Sequence, residues 1–147
     1  MSRQLARPIA IALLRNDDRI LVSAVPDEVR GMTGWRPPGG TIEFGERGED
    51  ALCREIREEL GAELSEIRYL DTLENIFTYL GDVGHELVRV YEARFADPGL
   101  YVRGSIEGIE DDSPFRCIWK PLSDFVAGEP LYPDGLLALL TRPEARR

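Results

Sequence analysis

Residues 39–62 read GGTIEFGERGEDALCREIREELGA, and the second half of this stretch decides the organisation of the chain. Ala51, Leu52, Ile56 and Leu60 recur at helical spacing and predict an amphipathic helix. Gly61 falls where a left-handed cap would end that helix, and Glu46, Glu49 and Asp50 suit the positive end of its dipole. Glu55, Glu58 and Glu59, at i, i+3 and i+4, lie on one strip beside the apolar face. Like charges so spaced repel, by roughly a few tenths of a kcal/mol per exposed pair and more where partly buried. A fold shaped for stability alone would not place them there. A hard divalent cation, Mg²⁺ or Mn²⁺, resolves the conflict by taking carboxylate oxygens while keeping waters and substrate phosphates in its other positions.

An isolated E-x-x-E-E strip on an acidic chain is most often a solvated face, and the wider spacing is what argues against that here. Gly40, five residues, Glu46, seven residues, Arg54-Glu55-Ile56, one residue, Glu58-Glu59, one residue, Gly61 and a small apolar residue together resemble the box of the Nudix (MutT-like) hydrolase family. At average residue usage the fixed positions would agree by chance with odds on the order of 10⁻⁶ over a chain of this length. Ala62 is the one departure, standing where the family usually carries a larger aliphatic.

The 147 residues suit one domain, 1–147, with a proper core and are too few for two of ordinary size. Formal net charge is -9, from 27 acidic and 18 basic residues, so the surface repels nucleic-acid backbones and anionic lipid. A polymeric nucleic-acid partner and a membrane partner are therefore not expected; a phosphorylated small molecule remains compatible if metal stands between the two. The longest apolar run, Ile9 to Leu14, is closed by Arg15 and is far short of a membrane span, and M-S-R-Q-L-A-R-P lacks the features of a signal peptide. Cys53 and Cys117 form no disulfide or metal framework, and a cytoplasmic location is the expectation.

Along the chain, Arg7–Leu14 and Arg19–Val25 predict a hairpin of two strands, followed by a polar loop from Pro26 to Gly34. Pro37 and Pro38 fix an extended path into Gly39 and Gly40, and Thr41–Phe44 predicts a short strand before the helix. Glu66–Tyr79 and His85–Phe95 predict an antiparallel pair about a turn at Gly81–Gly84. Residues 96–114 predict a long irregular loop, Phe115–Lys120 a further strand and Leu122–Val126 one helical turn. Tyr132–Leu140 predicts a C-terminal amphipathic helix entered through Pro133, with Arg142–Arg147 frayed. This mixture without regular βαβ alternation predicts an α+β (mixed α/β) fold.

The resemblance implies more than the residues do alone. It implies the Nudix fold, a mixed sheet sandwiched between helices, and hydrolysis of the pyrophosphate in a nucleoside diphosphate linked to another moiety. Charge neutralisation and in-line placement of water are the main demands of that reaction, and bound metal supplies both. The resemblance makes Glu55, Glu58 and Glu59 the metal and catalytic residues, without settling which is the base, and assigns the Gly39 carbonyl and Glu46 to the metal shell. Arg54, four residues before Glu58, is expected to orient a carboxylate through a bidentate pair. A further carboxylate outside the box often completes the shell in the family; Glu107, Glu110, Asp111 and Asp112 are candidates, with Glu110 first. His85, the sole histidine, is expected to be structural. Trp35, Phe77 and Tyr79 are candidates to stack on a base. Tyr79 falls about seventeen residues after the box, where relatives acting on dinucleoside polyphosphates tend to carry tyrosine. The expected substrate is thus a nucleoside polyphosphate or nucleotide-linked small molecule, and the chain is a candidate homodimer. The alternative is a nucleotide-sensing domain without catalysis, against which the intact set of box glutamates argues.

Overall fold

The structure, a computed structural model, describes residues 4–27 and 29–143. Its central strand is β1, Arg7–Asn16, buried without a break from Ile9 to Leu14 because both of its faces are covered. Period-two alternation divides that run between two cores. Ala10, Ala12 and Leu14 face the helix α1, Gly48–Leu60, through Ala51, Leu52 and Ile56. Ile9, Ile11 and Leu13 face two shorter helices, α2 (Leu122–Val126) and α3 (Leu136–Thr141), through Phe125, Leu136, Leu139 and Leu140. Fully burying each of the Leu, Ile and Phe side chains contributes about 1.5–3 kcal/mol.

β2, Arg19–Asp27, pairs with β1 at Arg15–Ile20 and Asn16–Arg19, and the two strands then diverge into separate parts of one eight-stranded mixed sheet. On one side β1 runs antiparallel to β4 (Gly39–Thr41) and parallel to β6 (Asp82–Phe95), which carries the edge strand β5 (Leu64–Tyr79). On the other side β2 pairs with β3 (Met32–Arg36) and with β8 (Ser113–Pro121), which carries β7 (Ser105–Glu110). The opening between these halves is where α1 lies, packed on β1, β4 and β7. The α+β expectation and the mixed sheet between helices hold.

Several element boundaries differ from the sequence expectation. Most of the expected polar loop at 26–34 is strand: β2 continues to Asp27 and β3 begins at Met32, with Glu28 outside the described residues. β3 escapes periodicity because Gly34 occupies its one buried position, under the Tyr132 ring. The short strand before the helix is Gly39–Thr41, so Phe44 lies in a turn and is exposed. The expected turn at 81–84 is a two-residue loop, Leu80-Gly81, with both φ angles positive (52° and 84°), the geometry that suits the twist of a hairpin. The expected long loop at 96–114 is a 3-10 turn, Pro98–Val102, and then the β7–β8 hairpin, turned at Asp111 and Asp112 with φ of 48° and 63°. Aspartates tolerate that conformation without the Asn-Gly signature that announces it. The C-terminal helix is shorter than expected, starting at Leu136, because Tyr132-Pro133 and the left-handed Gly135 keep residues 132–135 out of helical geometry. Of the expected frayed tail, residues 144–147 lie outside the described residues.

Candidate active site

The site is built on α1. Arg47 enters it with extended backbone and no side-chain cap, and Gly61 closes it at φ 63°, its N–H donating to the Arg57 carbonyl. Gly61 is required there, because a side chain in the left-handed region costs about 1 kcal/mol or more. With Leu52 and Ile56 fixed in the core, the strip bearing Arg54, Glu55, Glu58 and Glu59 is aimed at β4 and β7. Gly40 on β4 lies directly against the Glu55 carboxyl, where a Cβ would collide with it. That close approach is the physical reason for glycine at this position.

Arg54 spends every N–H of its guanidinium. Nε and Nη2 donate to the two Glu46 carboxylate oxygens at 2.8 and 2.9 Å, in a bidentate fork. Nη1 donates to Glu55 at 2.9 Å and to Glu58 at 3.3 Å, and Nη2 also donates to the Thr41 carbonyl at 2.9 Å. The fork is therefore made with Glu46 and not, as i,i+4 spacing suggested, with Glu58. Glu46 also accepts the Glu43 N–H at 3.0 Å. The Arg54 fork, followed by that backbone donor, lowers the Glu46 carboxyl to about 2. The Glu46 fork first, then Glu55, hold Arg54 charged, well above the usual arginine value, against the opposing effect of its partial burial.

Glu59 has the opposite surroundings. Burial first, then the neighbouring Glu110 and Glu55 carboxyls, push it up to about 8, so the three carboxyls favour sharing a proton. That proton lets it hydrogen-bond to Glu110 and Glu55 within the cluster. Glu110 reaches this point from the last residue of β7, on the far half of the sheet, and a second contact holds it: Arg36 Nη2 on β3 lies 3.7 Å from its Oε1. Glu58 is the most open of the strip, 59% exposed. Among the described residues no three Asp, Glu, His or Cys side chains yet stand in a coordinating arrangement. Arg54 and the shared proton on Glu59 take the place of a cation in balancing the charge. The donor set itself, hard oxygens from α1 and β7, fits a divalent cation.

The remaining candidates fall elsewhere. Glu107 pairs with Arg116 at 3.0 Å, and Asp111 and Asp112 form the hairpin turn. Trp35 sits on the α2/α3 side, its indole N–H donating to Glu129 at 3.1 Å and Lys120 lying 4.6 Å over its ring. Phe77 and Tyr79 are not brought to the carboxylates. The β5–β6 hairpin runs past the start of β1, where Arg7 faces Glu86, so both stand on a projecting tip paired only within the hairpin. His85 is in the same hairpin, its Nε2 buried without a hydrogen-bond partner among the described residues. Two residues near the cluster carried no separate expectation: Arg36, and Glu43, 3.8 Å from Arg54. The alternation of Arg36 with Trp35, just ahead of Pro37 and Pro38, was the available signal for the first.

Comparison with known proteins agrees with this geometry. The family model described as the NUDIX domain matches residues 5–133. The nucleoside triphosphatase NudI of Escherichia fergusonii is 48% identical over 59 residues, covering 40% of this chain and 42% of that protein, and that of Escherichia coli O139:H28 is 46% identical over the same length. The match thus spans less than half of these curated relatives. A MutT Nudix hydrolase from Burkholderia pseudomallei superimposes with a TM-score of 0.67 at 30% identity, over 92% of this chain and 97% of that one. The MutT protein from Methanosarcina mazei Go1 has a TM-score of 0.63 over 99% of this chain and 98% of its own; at 15% identity it speaks to the fold alone.

Proposed function

The chain belongs to the Nudix family, and on that footing we propose that residues 1–147 form one catalytic domain, a divalent-cation-dependent hydrolase of phosphoric anhydrides in nucleotides. The observation that carries this is the acid cluster on α1, where Glu55, Glu58 and Glu59 share one strip and Glu110 reaches Glu59, whose charge burial and the two neighbouring carboxyls oppose. Glu55, Glu58 and Glu59 would hold the cation, Mg²⁺ or Mn²⁺, with the Gly39 carbonyl a further candidate ligand. A cation bound there supplies charge neutralisation at the phosphoryl oxygens and an acidified water. Glu46 and Arg54 position: the fork fixes the loop entering α1 and presents Glu55 and Glu58. Glu110, drawn to Glu59 from the opposite half of the sheet, is the extra-box carboxylate suited to removing the proton of the attacking water.

The substrate class favoured is a nucleoside triphosphate, in keeping with the nucleoside triphosphatase activity named for the curated relatives. The dinucleoside polyphosphate option rested on Tyr79, which stands on the hairpin tip away from the carboxylates. Among the described residues no helix is long and apolar enough to cross a membrane, and a cytoplasmic nucleotide pool is the proposed setting. The test is a hydrolysis panel with Mg²⁺ or Mn²⁺ on purified protein, covering nucleoside and deoxynucleoside triphosphates, ADP-ribose, sugar nucleotides, coenzyme A and diadenosine polyphosphates, with products identified by ³¹P NMR. Selective release of pyrophosphate or phosphate from triphosphates is expected. No turnover of any compound with either metal would transfer the weight to a nucleotide sensor.

A further inference from the structure

Two arginines touch the acid cluster, and they are in different states. Arg54 has no donor to offer, since each of its N–H groups already meets Glu46, Glu55, Glu58 or the Thr41 carbonyl. The Arg36 side chain is 54% exposed, and among the described residues its polar contact is the charge contact to Glu110 at 3.7 Å, longer than a hydrogen bond. Its direction is fixed by strand register. Ala24 faces Trp35 and Ser23 faces Arg36 across the β2–β3 pair. Since Trp35 packs on the α2/α3 side, alternation turns Arg36 to the side that holds α1. It therefore stands on the wall of the site opposite the helix, beside the carboxylate that reaches Glu59.

We infer that Arg36 is a substrate-binding residue of this site: it takes a phosphate oxygen of the diphosphate group, giving up its loose hold on Glu110 to do so. The inference rests on the hydrolase reading for the placement of the substrate and deepens it with a specificity residue. The chemistry favours the exchange. A guanidinium presents paired N–H donors that match phosphate oxygens, and a diphosphate carries more charge than the single exposed carboxylate it displaces. Release from Arg36 leaves the Glu110 carboxylate held by the cluster alone. The cations recognising the polyanion would then come from both walls, a metal on the α1 carboxylates and a guanidinium on β3, which an otherwise acidic surface requires.

The experiment is a calorimetric titration of methylenediphosphonate, a diphosphate analogue that cannot be hydrolysed, into the Mg²⁺-supplemented wild type, R36Q and R36K. Mn²⁺ binding by electron paramagnetic resonance is measured on the same proteins without the analogue. Loss of one charged contact should weaken diphosphonate binding roughly tenfold in R36Q, with R36K between it and wild type. Mn²⁺ affinity should stay within about twofold or tighten, because a competing positive charge has gone. Arg36 is exposed at the end of its strand, so both variants are expected to fold, and melting curves verify this. Unchanged diphosphonate affinity in R36Q overturns the inference. So does an equal loss of Mn²⁺ affinity, which would mean that Arg36 serves only to place Glu110. Arg36-dependent binding without turnover of any nucleotide would sustain the inference and sink the hydrolase reading; turnover with Arg36-independent binding would do the reverse.

Discussion

Glu46 and Glu59 flank the same arginine-and-glutamate strip, and the protein treats them in opposite ways. Glu46 lies in the fork of Arg54 and is held ionised, with its carboxyl lowered to about 2. Glu59 is half-buried against two more carboxyls and is pushed toward the protonated form, with its carboxyl raised to about 8. The first arrangement is what folding favours: opposite charges, short charge-assisted bonds, a fixed loop. The second is what folding opposes, and nothing in the packing of α1 demands it, since Ala51, Leu52 and Ile56 already bury the other face of the helix. Satisfied electrostatics mark the scaffold of this site, and frustrated electrostatics mark the place where a ligand has to supply charge.

That contrast breaks most visibly in turnover. Glu58→Gln removes a charge from the exposed end of the strip, where only one 3.3 Å contact to Arg54 restrains it. It should leave the fold intact and lower turnover by more than about 10²-fold, the scale on which losing a transition-state electrostatic contact acts. Wild-type activity in this variant would remove the strip from the chemistry. Next in size is Arg54→Leu, which leaves Glu46 and Glu55 facing each other unpaired. A loss of about 2–3 kcal/mol in urea unfolding is expected, with activity falling together with stability. Lysine should recover little, because it lacks the fork. A stability loss below about 0.5 kcal/mol would show that the network is ornamental.

A smaller and sharper effect separates the two glutamates directly. A carboxyl raised in the folded state contributes stability that is full below its unfolded value, near 4.5, and is lost as pH rises through about 8. A carboxyl lowered in the folded state contributes stability above 4.5 that is lost as pH falls toward about 2. Metal-free wild type should therefore melt at lower temperature at pH 9 than at pH 6, and Glu59→Gln should flatten that decline. Glu46→Gln should instead lower the melting temperature at neutral pH and blunt the acid side. Identical pH profiles for the two variants would erase the distinction. The smallest change should come from Tyr79→Ala, on the projecting hairpin tip, with kcat/KM for triphosphates within about twofold of wild type.

What the sequence showed was local, and what it hid was pairing at a distance. Helix α1, its Gly61 stop and the three glutamates follow from spacing within a few turns, and strands β1, β2, β5 and β6 follow from apolar runs and alternation. The i,i+4 spacing of Arg54 and Glu58 is visible in the sequence and points to a bidentate pair with a carboxylate; that the carboxylate is Glu46 depends on the entering loop folding back, which spacing does not encode. Glu110 reaches the cluster only because residues 105–121 form a hairpin, and the left-handed Asp111-Asp112 turn that makes it carries no glycine to announce it. Arg36 was hidden for a related reason. Its direction depends on β3 pairing with β2, where Gly34 interrupts the apolar alternation that would reveal a strand. Trp35 looked available to a ligand in sequence, while in the fold Glu129 and Lys120 hold it.

The most direct test of the central claim, that Glu59 is kept frustrated for a divalent cation, is the melting temperature of wild type and Glu59→Gln at pH 8 as Mg²⁺ is raised. Without Mg²⁺ the variant should melt at or above the wild-type temperature, and Mg²⁺ should stabilise the wild type while leaving the variant nearly unmoved. Equal stabilisation of both by Mg²⁺, or a variant less stable than wild type without it, would contradict the account.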